Sequence, residues 1–356
     1  MGVPRTQSGR FDALPAPANQ ATFFQQINSI AGGPLVSQRD SSRGLTRLEH
    51  RIMDAGTAIA CTEPEQVQFQ HTVLCQTGLP RRRVYSRSFE RRSGHMSILL
   101  EAGSLFDGMG FVEQPLPYGA IPRLVIVHLS TEAVRTRRRC VEVGESMRQF
   151  LTTLGLPTNG GVRGGYTAFR RQMAALAACR LTLGMQEADR AVTVDAKPIK
   201  RFEAWLQGNG SQRTLWPGEM ELSQEFYDTL AEHAVPLDRR ALASLKHSAL
   251  ALDIYTWLAH RLRRVEAARG VKLSWQNLRD QFGQEYRTSK DFKREARRAL
   301  RLVLAVYPDA RVGDVIGGIV LYPSHPPVRS TSVAFASHRP ALPSVSKPVD
   351  SASCPR

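Results

Sequence analysis

A mainly helical α+β fold with two tandem winged-helix units is what this sequence predicts, and three observations carry the prediction. One order of elements (apolar helix, short strand, short helix, turn, basic helix, β-hairpin) occurs twice along the chain. Each basic helix is apolar on one side and cationic on the other. The chain of 356 residues carries a formal net charge of +16. In a winged helix the second helix of a helix-turn-helix enters the major groove and the hairpin lies along the DNA backbone. An internal repeat of this order therefore predicts two such grips.

The elements follow in order. Residues 1–45 are rich in Pro, Gly, Ser, Gln and Asn, with a short apolar patch at Phe23 and Phe24, and they predict a disordered segment. LTRLEHRIMDA (45–55) has helical periodicity and HMSILLEAG (95–103) alternates like a strand. Between them LPRRRVYSRSFERRSG (79–94) predicts a basic loop with interleaved aromatics. The first copy of the repeat then begins with the apolar helix PYGAIPRLVIVHLSTEAVRT (117–136). The strand CVEVG (140–144) and the helix ESMRQFLTTLGL (145–156) follow. PTNGGVRGG (157–165) turns into the basic helix YTAFRRQMAALAACRL (166–181), whose face of Phe169, Met173, Leu176 and Ala177 is apolar. RLTLGMQEADRAVTVDAKPIKRF (180–202) alternates around a polar turn, a hairpin signature.

The second copy runs SALALDIYTWLAHRLRRV (248–265), VKLSW (271–275) and QNLRDQFGQEY (276–286). The basic helix RTSKDFKREARRALRLVLAVYP (287–308) and a hairpin, ARVGDVIGGIVLYP (310–323), turning at Gly317-Gly318, complete it. At about 100° per residue, Lys290, Arg294, Arg297 and Arg301 share one arc of that helix. Phe292, Ala296, Ala299, Val303, Val306 and Tyr307 share the other. Val141 and Val271 open matching strands, and Tyr166 and Lys290 open matching basic helices. Tyr255, Trp257 and Leu258 sit on an apolar helix and read as core. The domain layout is then a first winged-helix domain with an N-terminal extension over 46–208 and a second over 209–328. A disordered, Pro-rich tail over 329–356 closes the chain.

The charge favours polyanionic partners through counterion release and steering. On the first basic helix the DNA-contact candidates are Arg163, Tyr166, Thr167, Arg170 and Arg171, with Gly164-Gly165 letting the backbone approach a phosphate or simply making a tight turn. On the second they are Ser289, Lys290, Lys293, Arg294, Arg297, Arg298 and Arg301. The residues nearest the N-terminus are best placed for base edges and the later arginines for phosphates. Arg81, Arg82, Arg83, Arg91 and Arg92, with Tyr85 and Phe89 among them, are candidate accessory contacts. A solvated basic face is the plain alternative for each set. In RTRRRC (135–140) the cations suit the C-terminus of the preceding helix.

Other chemistry finds little support. The five cysteines, Cys61, Cys75, Cys140, Cys179 and Cys354, never form C-x-x-C, and they predict free thiols in a reducing compartment. There is no G-x-x-x-x-G-K-[ST], no G-x-S-x-G, no His-x-His and no carboxylate cluster with metal spacing. The expectation is a protein with no catalytic residues, no metal and no cofactor. It has no run of about 18 apolar residues to cross a membrane and no signal segment, so it reads as cytoplasmic.

Several segments in order resemble the RepA replication initiators of theta-replicating plasmids of Gram-negative bacteria. They are FQHTVLCQTGLPRRR, LPYGAIPRLVIVHLSTEAVRT, VEVGESMRQFLTTLGLPTNGGVRGGYTAFRRQM, ALALDIYTWLAHRL and DFKREARRALRLVLAVYPDARV. The similarity covers roughly 69–328. The resemblance implies a non-enzymatic initiator that binds repeats in double-stranded plasmid origin DNA, helps open the duplex and recruits the host helicase. A homodimer, copy control through autorepression and contact with host initiator proteins belong to the same expectation. A transcriptional repressor is the alternative reading, and a DNA-nicking relaxase a more distant one.

Overall fold

The computed structural model describes residues 45–187, 189–195, 197–200 and 218–329. Of the segments read as disordered, 1–45 and 329–356, all but residues 45 and 329 lie outside the described residues, as do Cys354 and the proposed boundary near residue 208.

The chain opens with α1 (Arg47–Cys61), which Thr46 and Glu49 start with a reciprocal capping box. Then come β1 (Val67–His71), α2 (Thr72–Thr77), β2 (Ser88–Ser93), β3 (Met96–Glu101), β4 (Ser104–Phe106) and β5 (Phe111–Glu113). The first copy of the repeat is α3 (Ala120–Thr136), β6 (Cys140–Glu142), α4 (Met147–Thr153), α5 (Gly165–Ala178), β7 (Arg180–Glu187) and β8 (Arg190–Asp195). A linking strand β9 (Glu219–Glu221), α6 (Gln224–His233), β10 (Ala234–Asp238) and α7 (Arg239–Leu245) lead to the second copy. That copy is α8 (Ala249–Arg261), β11 (Val271–Ser274), α9 (Trp275–Phe282), α10 (Ser289–Val306), β12 (Val312–Val315) and β13 (Gly318–Leu321). Side-chain caps from Ser146, Ser223, Ser248, Ser274 and Thr288 start α4, α6, α8, α9 and α10.

Every element expected of the two copies forms, but the strand pairing differs between them. In the second copy β11 joins the hairpin, giving a three-stranded antiparallel sheet in the order β11-β13-β12. The hairpin turns at Ile316-Gly317, one residue earlier than the sequence suggested, because Gly317 takes the left-handed backbone (φ 83°). Gly318 is instead a strand residue where a Cβ would meet the Leu273 carbonyl at 1.9 Å. In the first copy β6 pairs with β9 and not with the hairpin. The β7–β8 hairpin is extended on its other edge by β3 and β2 into a four-stranded sheet.

The duplication reaches further than the sequence pattern. Each copy is preceded by a helix, a strand and a short helix: α1-β1-α2 and α6-β10-α7. β1 and β10 pair antiparallel with Phe69 opposite Pro236, so the two arms meet head to tail. His71 caps α2 as Asp238 caps α7. The Phe69 amide donates to Thr131 of α3 (2.8 Å), and the Asp238 amide donates to the Tyr255 hydroxyl of α8 (2.9 Å). The leading helices are exchanged: α1 packs on α10 and α7, whereas α6 packs on α3, β1 and β8. Two hydrophobic cores result, one built mainly from 73–230 and the other from 235–321 with Ile52, Cys75, Leu124 and Val127. Leu156 packs against both. Tyr255, Trp257 and Leu258 lie in the second core, as expected.

Candidate nucleic-acid interface

The α10 helix splits into two environments. Its apolar arc is buried throughout: Phe292, Ala296, Ala299, Val303, Val306 and Tyr307 all lie in the core. On the other side, Ser289, Lys290, Arg294 and Arg298 are exposed, and Lys293, Arg297 and Arg301 are half-buried. Lys290 has no carboxylate partner among the described residues, and Arg294 pairs only with Asp291 (3.2 Å) and Glu295 (3.3 Å) of its own helix. Thr288 hydrogen bonds to the Asp291 carboxylate and holds its pKa below the ordinary value, so one anion stands beside the exposed N-terminal end of α10.

The later cations are committed to the protein. Arg297 is paired with Asp314 of β12 at 2.5 Å, and its guanidinium lies 5.3 Å from the Trp275 ring centroid. Lys293 lies over the same ring at 5.5 Å. Arg297 and Trp275 therefore bind the hairpin to the helix. Arg298 approaches Glu49 of α1 at 3.8 Å, and both Arg298 and Arg301 help to hold the Glu49 carboxylate ionised, after the hydrogen bonds from Thr46. At Gly56 a Cβ would lie 1.8 Å from the Ala305 carbonyl oxygen, so α1 runs alongside the C-terminal half of α10 in close backbone contact. The sequence reading assigned phosphates to these later arginines; Asp314 of the hairpin takes Arg297, and Glu49 of α1 stands beside Arg298 and Arg301.

The α5 helix presents Arg170 and Arg171 to solvent and the turn before it presents Arg163, all without carboxylate partners among the described residues. Tyr166 is half-buried against the first core, and the Thr167 hydroxyl donates to the Gly161 carbonyl (2.8 Å). The two glycines make a tight turn. A Cβ on Gly164 would meet the Gly160 carbonyl at 2.1 Å, and one on Gly165 the Pro157 carbonyl at 1.9 Å. The Gly165 amide donates to the Asn159 side chain (3.0 Å), so that N–H is already used within the turn.

The 79–94 segment corrects the expectation of a plain basic loop. Residues 88–93 form β2, which alternates so that Arg91 points inward and is fully buried. Its guanidinium donates to the carbonyls of Thr77 (3.0 Å) and Leu79 (3.3 Å) and to Glu285 (3.0 Å). Arg81 is nearly as buried and donates to the same carboxylate at 2.9 Å. Burial alone would raise the Glu285 pKa, yet Arg91 and Arg81 outweigh it and hold the carboxyl at about 2. Arg81 and Arg91 are thus structural, and no phosphate can reach Arg91. Arg82, Arg83 and Arg92 remain exposed.

Close by, Arg123 of α3 and Asp253 of α8 form a buried bidentate pair, both contacts at 2.7 Å. The remaining Arg123 donors reach the carbonyls of Leu79, Pro80 and Gly119. Gly78, at φ 66°, leaves room for the Asp253 carboxylate, which a Cβ would approach to 2.9 Å. Three arginines, two acids and the carbonyls of 77–80 thus join the two halves behind the turn before α10. A counterpart stands behind the turn before α5. There the Lys246 ammonium donates to the Gly155 carbonyl, and Arg239 donates to that of Thr153 (3.5 Å). Each basic helix is therefore braced through its preceding turn by cations that come from the other half of the chain.

Among the described residues no group of three or more His, Cys, Asp or Glu could hold a metal ion, and no helix is long and apolar enough to cross a membrane. The four described cysteines are free thiols. No curated protein matches the chain. Among solved structures it is similar to the crystal structure of selenomethionine derivatives of domains 2 and 3 of RctB, at 12% identity and a TM-score of 0.42, over 68% of this chain and 87% of that one. Residues 116–277 match the family model described as plasmid encoded RepA protein. That stretch runs from the approach to α3 to the first turn of α9.

Proposed function

We propose that this chain is a plasmid replication initiator that grips double-stranded origin DNA with two winged helices, one centred on α5 and one on α10. The observation that carries the reading is the pair of exposed cationic helix ends, each set between a braced turn and an antiparallel hairpin. The match to plasmid RepA proteins supports a role in plasmid replication. On this reading Arg163 contacts DNA from the turn before α5, Arg170 and Arg171 from α5, and Ser289, Lys290, Lys293 and Arg294 from α10, while the β12–β13 hairpin lies along the backbone. The protein works without a covalent step, metal or cofactor: binding to repeated sites strains the adjacent duplex and brings host replication proteins to it. Dimerisation, copy control and a location with the DNA in the cytoplasm belong to the same proposal.

The test is a footprint of the full-length chain across the DNA neighbouring its reading frame. An initiator predicts directly repeated sites about two helical turns apart beside an AT-rich stretch. An inverted repeat at a promoter alone would favour a repressor. The log affinity should fall with log salt at a slope of roughly −5 to −10 if some 6–10 phosphates are neutralised. A flat dependence refutes DNA binding.

A further inference from the structure

We infer that residues 82–87 form a third DNA-contacting element, which extends the footprint of α10 along the flanking phosphate backbone of the same duplex. The inference rests on the reading of α10 as a DNA-contacting helix. Arg81 anchors the start of the segment in the turn before α10, through Glu285 and through its guanidinium 4.3 Å from the Tyr286 ring centroid. Arg82 lies over the same ring at 5.7 Å. Arg87 closes the far end, paired with Glu113 (3.0 Å) and donating to the Ala102 carbonyl (2.9 Å). Between these clamps Arg82, Arg83 and Tyr85 project into solvent, and Tyr85 is 86% exposed with the Arg83 guanidinium 5.2 Å from its ring centroid.

Three features of this arrangement point to DNA. The start of the segment packs on Glu285 and Tyr286, the residues that lead into Arg287, Ser289 and Lys290, all exposed at the end of α10 that faces the groove in the proposed binding mode. Arg82 and Arg83 have no carboxylate partner among the described residues, so they add uncompensated positive charge next to that end. Clamping at both ends orders the loop before binding, which lowers the entropy lost on contact. The counterpart in the other half, the segment carrying Lys246 and His247, is short and leads directly into α8. The third contact is therefore specific to the second reading helix, and its site is composed of segments some two hundred residues apart in the chain.

The experiment uses the full chain and a duplex that the chain itself selects from a random pool. Affinity, its salt dependence and hydroxyl-radical protection are measured for wild type, R82A/R83A, Y85A and K290A, with thermal melts to verify folding. Arg81 and Arg91 are left in place, so the melts should coincide. R82A/R83A should make the salt slope shallower by about 2 and remove protection on the flank while leaving that of α10. Y85A should weaken binding roughly tenfold through lost packing against the sugar–phosphate backbone. Loss with K290A but an unchanged slope and footprint with R82A/R83A overturns the inference and leaves the reading of α10 standing. No effect of K290A either would sink that reading and the inference with it. Loss confined to a single-stranded probe would also overturn the assignment to duplex.

Discussion

Replacing Glu285 by Gln removes the carboxylate that Arg81 and Arg91 share behind the α10 turn. Glu285 has its pKa lowered from 4.5 to about 2, which at 1.36 kcal/mol per unit corresponds to about 3 kcal/mol of native-state stabilisation. Removing one partner of a buried ion pair costs about 3–5 kcal/mol by independent measure, because the remaining charge stays buried; Arg91 here is fully enclosed. The sign follows from linkage. A carboxyl depressed in the folded state stabilises above its unfolded pKa and loses that contribution as pH falls towards the folded value. The wild type should therefore lose about 2 kcal/mol of this contribution between pH 6 and pH 3. His71 and His260, kept neutral by burial with pKa values near 3, also cost stability on acidification, so the informative quantity is the difference between wild type and E285Q. Urea unfolding followed by circular dichroism at pH 7, 5 and 3 measures it. E285Q should be about 3 kcal/mol less stable at pH 7, with the gap narrowing towards pH 3. A loss below about 1 kcal/mol, or a gap that does not change with pH, would refute the account of the brace.

Gly78→Ala should cost about 1–3 kcal/mol, because φ 66° with ψ 168° is a glycine backbone and the new Cβ would press on Asp253; urea midpoints check this. Gly56→Leu should detach α1 from α10, seen as faster amide exchange in α1, because no side chain fits against the Ala305 carbonyl. Arg297→Ala should lower stability by about 1–2 kcal/mol, through Asp314 and Trp275, and weaken DNA binding with it. Lys290→Ala should weaken binding while the melting temperature stays unchanged.

The repeated order of elements was legible because amphipathic periodicity and hairpin alternation are local signals. The exchange of α1 and α6 was not, since nothing in RLEHRIMDAGTAIAC says which half its apolar face will meet. Strand partners were illegible for the same reason: CVE reads as a strand, yet its partner is β9, far along the chain. The brace left a signal that went unread. Arg123 and Asp253 are charges of opposite sign set within the apolar stretches of two matching helices, a pattern that physical chemistry tolerates only if they meet. Arg81 and Arg91 were hidden among surface arginines of the same composition, and only the alternation of β2 distinguishes buried Arg91 from exposed Arg92. The reading ends of α5 and α10 were read as DNA-facing from charge and position, and their exposure is compatible with that role.

Hydroxyl-radical footprinting of the selected duplex with wild type, R163A/R170A/R171A and K290A/R294A addresses two-handed binding most directly. Two protected patches on one duplex are predicted, with the α5 variant losing one and the α10 variant the other. A single patch that both variants weaken alike, or protection that neither variant alters, would contradict it.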